Sequence, residues 1–247
     1  MRVQPSQTLG IVFGLAYIPL FIGVSAMLGG SMADMGSAAR LMPFVIALAV
    51  GSAVTAGLTT YLGWWPLVLR DAGRVGGAVR AVPWIWAVTI AAALVLGSPW
   101  SLPVDRLLAT LALAILVGFA EELAYRGLAL VGLRAGSTEA RAFLVMTFLF
   151  AILHLPNVLL GQQLVGSIVQ TGLAFLGGTG LYLIRRSSGS IAVAMLFHGA
   201  WDFAAFSAAN NPGANPATGL VQLAANVVVF VLFLSQAKRI FAQPATA

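Results

Sequence analysis

Only a few residues of this chain combine reactive chemistry with an apolar setting. Its two histidines, His154 and His198, each lie inside a long apolar run, as do Glu121, Glu122, Arg126 and Asp202. A carboxylate and an imidazole brought together can move protons to and from water or a peptide, and donors aimed at a carbonyl oxygen can hold the charge that develops there. Spacing divides the labour among these residues. Glu122 and Arg126 are four apart, so they share a helix face and can neutralise each other, whereas Glu121 points about 100° away and is free to face a site. His198 and Asp202 are likewise four apart, which puts an imidazole and a carboxyl on one stripe, with Gly199 leaving room beside them. Pro156, two residues after His154, cannot donate to the carbonyl of Ile152. It predicts a bend or an end to that helix, where Asn157 could serve a freed backbone group.

The setting follows from composition. The chain has 247 residues, 60% of them apolar and only 8% charged, too few charges to solvate a globular surface. That excludes a soluble enzyme or a DNA-binding domain. Apolar runs occur at about 8–29, 42–64, 82–97, 107–132, 142–160, 163–184, 190–208 and 218–236, each close to the length a helix needs to cross a hydrocarbon core of about 30 Å. The first run is longer than the apolar region of a secretory signal, although Ser31-Met32-Ala33 resembles a cleavage site, and it is read as a span. The third is short and carries Trp84, Trp86 and Trp100, which suit an interfacial belt. The expectation is an all-α, polytopic membrane protein of about eight transmembrane helices, a single domain over 1–247, integral to the cytoplasmic (inner) membrane. Its first partners are then membrane lipids. The net charge of +6 forms no basic stripe interleaved with aromatics, so no nucleic-acid partner is expected. With no Cys, disulfides, a thiol nucleophile and a thiolate metal site are excluded.

Orientation is read from Lys and Arg. One set of ends holds Arg2, Arg70, Arg74, Arg80, Arg134, Arg141, Arg185, Arg186, Lys238 and Arg239, while the alternate loops hold only Arg40 and Arg106. By the positive-inside rule both termini are cytoplasmic, which an even number of spans allows. From the cytoplasmic ends Glu121 is then about 12 residues deep, His154 about 13 and His198 about 9 to 11, or roughly 14 to 20 Å for all three. Both histidines thus fall at the level of the intramembrane glutamates.

Each residue also has a plain structural reading. A Glu–Arg pair at helical spacing is as readily a buried bridge as a functional pair, a lone intramembrane His can serve to link helices, and Asp202 can simply orient His198. Phe150 and Trp201 read as packing, as do the glycines between Ala174 and Gly180. The functional reading gains from convergence, because a purely structural protein has no reason to place four costly groups at one depth.

Three motifs then stand in order on successive helices: Glu121-Glu122-Leu123-Ala124-Tyr125-Arg126 as EExxxR, Phe150 to His154 as FxxxH, and His198 to Asp202 as HxxxN/D. Together with Leu155-Pro156-Asn157 they resemble the CPBP family of intramembrane proteases, which includes the type 2 CAAX prenyl endopeptidases and bacterial Abi-like proteins. The resemblance covers roughly 107–208, the expected catalytic half. It implies an endopeptidase acting on a membrane-associated or prenylated-type peptide. Glu121 would activate water with His154 beside it, His198 and Asp202 would stabilise the oxyanion, and Glu122 and Arg126 would brace the fourth helix. Asp202 departs from the Asn of many relatives. An ionised Asp cannot donate to an oxyanion, so it must be protonated, orient His198 or bind a metal.

Two His and two carboxylates suit Zn²⁺, with Glu121, His154, His198 and Asp202 as the ligands if a metal is present, but no HExxH accompanies them and the metal-free form is preferred. Paired GxGD aspartates are absent, and Ser187, Ser188 and Ser190 belong to a loop. A proton-coupled transporter would use the same cluster as a relay, yet the two halves share no polar pattern of the kind an inverted repeat leaves. A non-catalytic immunity or scaffold member of the same family is the remaining alternative.

Overall fold

The computed structural model describes residues 2–71, 73–209 and 211–242. Among these, eight helices are long and apolar enough to cross a membrane: α1 Gln7–Met27, α2 Ala38–Leu62, α3 Gly77–Ser101, α4 Val104–Arg134, α5 Glu139–Leu160, α6 Leu164–Ser188, α7 Ile191–Ala208 and α8 Ala217–Ala242. Hydrophobic faces and turn chemistry set their limits. Ser6, Ser37 and Thr138 accept from the backbone N–H three residues on and start α1, α2 and α5. Gly63 and Gly189 take left-handed conformations that stop α2 and α6. Two spans are irregular where the reactive residues lie. In α4 the regular helix runs Val104–Glu122 and a π-helical stretch, Leu123–Ala129, follows at once. In α5 the regular helix stops at Ile152 and resumes as a 3₁₀ turn, Leu155–Leu160, so Pro156 ends it as its missing N–H requires.

Helices α4 and α7 make the most extensive packing in the bundle, followed by α2 with α4. The α4–α7 crossing depends on small residues. A Cβ at Gly118 would stand 2.5 Å from the Met195 carbonyl oxygen and 2.8 Å from the Gly199 nitrogen, and one at Gly199 would stand 2.9 Å from the Ala114 oxygen. The clearance beside His198 is therefore filled by backbone of α4, as close crossings between membrane helices require. Gly118→Ala must push backbone apart, so it should lower the melting temperature and the yield in detergent, by about 1–3 kcal/mol on the scale of overpacking. An unchanged melting curve would mean that this crossing is looser than its contacts.

The arginine-rich end differs from the expectation of loop charges. Arg134 donates to Glu139 through Nε (2.9 Å) and Nη2 (2.7 Å), and Nη2 also reaches Asp71 at 2.9 Å. Arg186 and Tyr182 donate to the same Glu139 carboxylate at 2.8 and 2.6 Å. Arg185 donates to the carbonyls of Leu67 and Arg126. Asp71, Glu139, Arg185 and Arg186 are buried at the end of α6, where Asp71 N–H bonds the Gly189 carbonyl and Val75 N–H bonds the Arg186 carbonyl. They tie α4, α5 and α6 together, and Arg2, Arg70, Arg74, Arg80, Arg141, Lys238 and Arg239 remain as the exposed charges of that end.

The tryptophan belt also needs correction. Trp84 and Trp100 are exposed, but Trp86 is buried and stacks on Trp201 with ring centroids 4.2 Å apart. Its plane fits over Gly180, where a Cβ would stand 2.6 Å from the indole.

Candidate active site

The last regular turn of α4 aims Glu121 and Glu122 in different directions. Glu122 is fully buried behind the site. Its Oε1 accepts from Arg126 Nη1 at 2.9 Å and from His198 Nδ1 at 2.9 Å. One carboxylate oxygen thus does two things, neutralising a guanidinium on its own helix and holding an imidazole on α7. The second was missed from sequence, since spacing along one helix cannot reveal a partner on another. Arg126 is held by more than Glu122: Nη2 donates to the Gly178 carbonyl at 2.9 Å, and the guanidinium lies 4.0 Å over the Phe150 ring. Gly178 permits this, because a Cβ there would meet both Arg126 and Phe150 at 2.9 Å.

Phe150 is the hub that the three motifs share. Besides carrying Arg126 on its face, it packs edge-to-face with His154 (5.4 Å) and with His198 (5.8 Å). His154 sits at the break in α5, with Nδ1 3.2 Å from the Phe150 carbonyl oxygen. A carbonyl only accepts, so Nδ1 carries the proton of that bond and Nε2 of neutral His154 keeps its lone pair. His198 is oriented likewise. With Nδ1 given to Glu122, its Nε2 faces Glu121 Oε2 at 3.9 Å and Asp202 Oδ2 at 3.6 Å. Both distances exceed a direct hydrogen bond, leaving room for a small group among the three. Asn157, expected to serve a freed backbone group, instead donates to the Gln170 side chain at 3.1 Å.

Glu121, His154, His198 and Asp202 all line one cavity of about 540 Å³, whereas Glu122 and Arg126 stand behind its wall. From Glu121 the lining runs along α4 through Val117 and Leu113, and along α7 through Asp202 and Ala205 to Ala209, always toward the end that bears the 28–37 and 161–163 loops. Met32 and Met35 of the α1–α2 loop line it on one side there, with Met32 N–H bonded to the Leu160 carbonyl at 2.7 Å. Its exposed lining residues, among them Val169, Leu173, Ala209 and Leu223, also lie there, so the cavity opens at the arginine-poor end and along the flank between α6 and α8.

Among the described residues no three His, Asp or Glu side chains are grouped closely enough to hold a metal ion. As placed, the four residues therefore do not form a zinc site.

What the arrangement can do is move protons beside a polarised carbonyl. It has a carboxylate with no basic side chain bonded to it, an imidazole lone pair, and a fixed imidazole flanked by two carboxyls, all within a largely apolar wall that strengthens their fields. Residues 103–204, which contain all six of these polar residues, match a protein-family model described as type II CAAX prenyl endopeptidase Rce1-like. No curated protein and no solved structure matches the chain.

Proposed function

We propose, from the premise that the chain carries an Rce1-like type II CAAX prenyl endopeptidase (CPBP) family domain, that it hydrolyses a peptide bond of a membrane-associated substrate by carboxylate-activated water. The observation that supports this is the meeting of Glu121, His154, His198 and Asp202 at one cavity, with His198 fixed from behind by Glu122. Glu121 takes a proton from water while the oxygen attacks the scissile carbonyl, forming the C–O bond and moving the carbonyl electron pair onto oxygen. His154, with its Nε2 lone pair, orients the water. His198, as the imidazolium that keeps Nδ1–H on Glu122 and donates from Nε2–H, and Asp202 stabilise the oxyanion, Asp202 as the protonated acid or through His198. As the intermediate collapses the C–N bond breaks, and Glu121 returns its proton to the departing nitrogen.

The test is cleavage of peptides by purified protein, wild type against Glu121→Gln, with and without chelator. Turnover by wild type that survives chelation and is lost in Glu121→Gln is expected. A chelator-sensitive rate would put a metal at these residues, and a phenotype that persists in Glu121→Ala cells would favour an immunity or scaffold role.

The bias of exposed arginines and lysine to one end favours both termini in the cytoplasm, with the chain in the cytoplasmic membrane. The open end of the cavity then faces away from the cytoplasm. Reporter fusions after Arg80 and after Arg186 should report the cytoplasm, and a fusion near Gly213 the outside. The inverse pattern would reverse the side from which substrate is taken.

A further inference from the structure

We infer that the α6–α8 wall of the cavity binds the main chain of an extended polypeptide through Asn157, Gln162, Gln170, Gln222 and Asn226, an inference that rests on the peptidase reading above and states how its substrate is held. None of the five belongs to a motif that carries the hydrolytic chemistry. They come from four separate pieces of chain, namely the 3₁₀ turn of α5, the loop after it, α6 and α8, yet all five line the one cavity.

Primary amides are costly to bury in a membrane protein unless they are bonded, and these are only partly bonded. Asn157 gives one N–H to Gln170, and Gln222 gives one to the Trp201 carbonyl at 3.1 Å. Asn157 and Asn226 are 3% and 5% exposed, yet Asn157 Oδ1, Asn226 Oδ1 and Gln162 Oε1 are buried with no partner among the described residues. The acceptors call for N–H groups from whatever fills the cavity. An isoprenoid or acyl chain has none to give. A peptide main chain alternates N–H and C=O, and a primary amide offers the same two groups side by side, so the match holds whichever way each amide is turned.

The spacing agrees. Gln222 and Asn226 lie one turn apart, about 6 Å along α8, close to the roughly 6.6 Å at which an extended chain repeats the same group on one side. Asn226 faces Gly177, where a Cβ would stand 3.8 Å from its Nδ2. From that level, Gln170 is about 10 Å outward along α6 and the Gln162 amide, which lies beside Gly166, about 16 Å, enough for roughly five extended residues. The opposite wall, with Leu48, Leu113 and Val117, is apolar and suits side chains.

The chain contains no Cys, so a single reporter thiol can be placed at Ala205, which lines the cavity. In detergent-purified Glu121→Gln/Ala205→Cys protein, a degenerate octapeptide pool should slow N-ethylmaleimide alkylation at least fivefold, while the same pool N-methylated at every main-chain amide should not. Adding Asn157→Leu and Asn226→Leu should abolish protection by the peptides. Equal protection by the N-methylated pool, or protection that survives the leucines, overturns the inference. The pool comparison needs no wall substitution, so it holds even if the leucine variants fold poorly. Binding is read in a protein that need not turn over, so a failure of the hydrolytic reading would leave these results standing, and active protein that binds both pools equally would sink the inference alone.

Discussion

Replacing Glu121 with Gln should lower the rate of peptide cleavage by about 10² or more while leaving the melting temperature within a degree or two of wild type. Glutamine keeps the size and a hydrogen-bonding oxygen but removes the basic lone pairs that would accept a proton from water. The structure also supplies the reason that stability should hold. Glu121 is a wall residue of the cavity, its nearest ionic neighbour His198 is 3.9 Å away, and no basic side chain depends on it for hydrogen bonding. Cleavage assays and thermal melts of the same preparations separate the two effects. Retained activity in Glu121→Gln would move the general base to another residue, with His154 next in line because its Nε2 is free.

Glu122→Gln should fail for a different reason. It leaves the Arg126 guanidinium fully buried without its counter-charge, a change that costs about 3–5 kcal/mol for comparable buried pairs, so yield and melting temperature should fall sharply. The molecules that do fold should also be slow, because His198 Nδ1 loses its charged acceptor and the imidazole its fixed orientation. Exchanging the pair, Glu122→Arg with Arg126→Glu, should not rescue either property. A carboxylate at 126 would lie against the face of Phe150 and the Gly178 carbonyl, both of which repel negative charge, where the guanidinium was attracted by both. Expression yield and melting of the single and double variants decide the matter. Recovery in the double variant would mean that net charge alone, without these two further contacts, holds position 126.

The sequence was most legible where a rule of one helix sufficed. Apolar run length found eight spans, and a lone proline two residues past His154 located the break in α5. Four-residue spacing paired Glu122 with Arg126 and separated Glu121 from them, because those relations depend only on the pitch of a helix. What escaped were relations between helices. Glu122 reaching His198, Phe150 touching Arg126 and both histidines, and Trp86 lying buried on Trp201 all depend on how faces meet, which no local pattern encodes. The π-helical stretch after Glu122 escaped as well, since Leu-Ala-Tyr-Arg-Gly-Leu-Ala reads as ordinary helix and only packing draws it wider. Arg134, Arg185 and Arg186 were legible as charges near a membrane face but not as partners of Asp71 and Glu139, since Asp71 is 63 residues from Arg134 and Glu139 is 47 from Arg186. The cavity's amides were present as letters throughout. Their one signal was that Gln170, Gln222 and Asn226 interrupt apolar runs, and uncharged residues draw less notice than charges do.

The flank between α6 and α8, where Val169, Leu173 and Leu223 line the cavity and are exposed, bears on how the protein would encounter anything it binds. A ligand arriving through a lipid-facing gap is drawn from two dimensions, and what sets its encounter rate is its mole fraction among lipids, not its molarity in the surrounding water. Diluting such a ligand with inert lipid or detergent at constant total amount slows its arrival, whereas diluting the whole suspension with buffer hardly does. Apparent affinities measured in micelles of different number or size would then disagree until they are expressed per mole of amphiphile, and a weak binder by volume can saturate the cavity when it is concentrated in the bilayer.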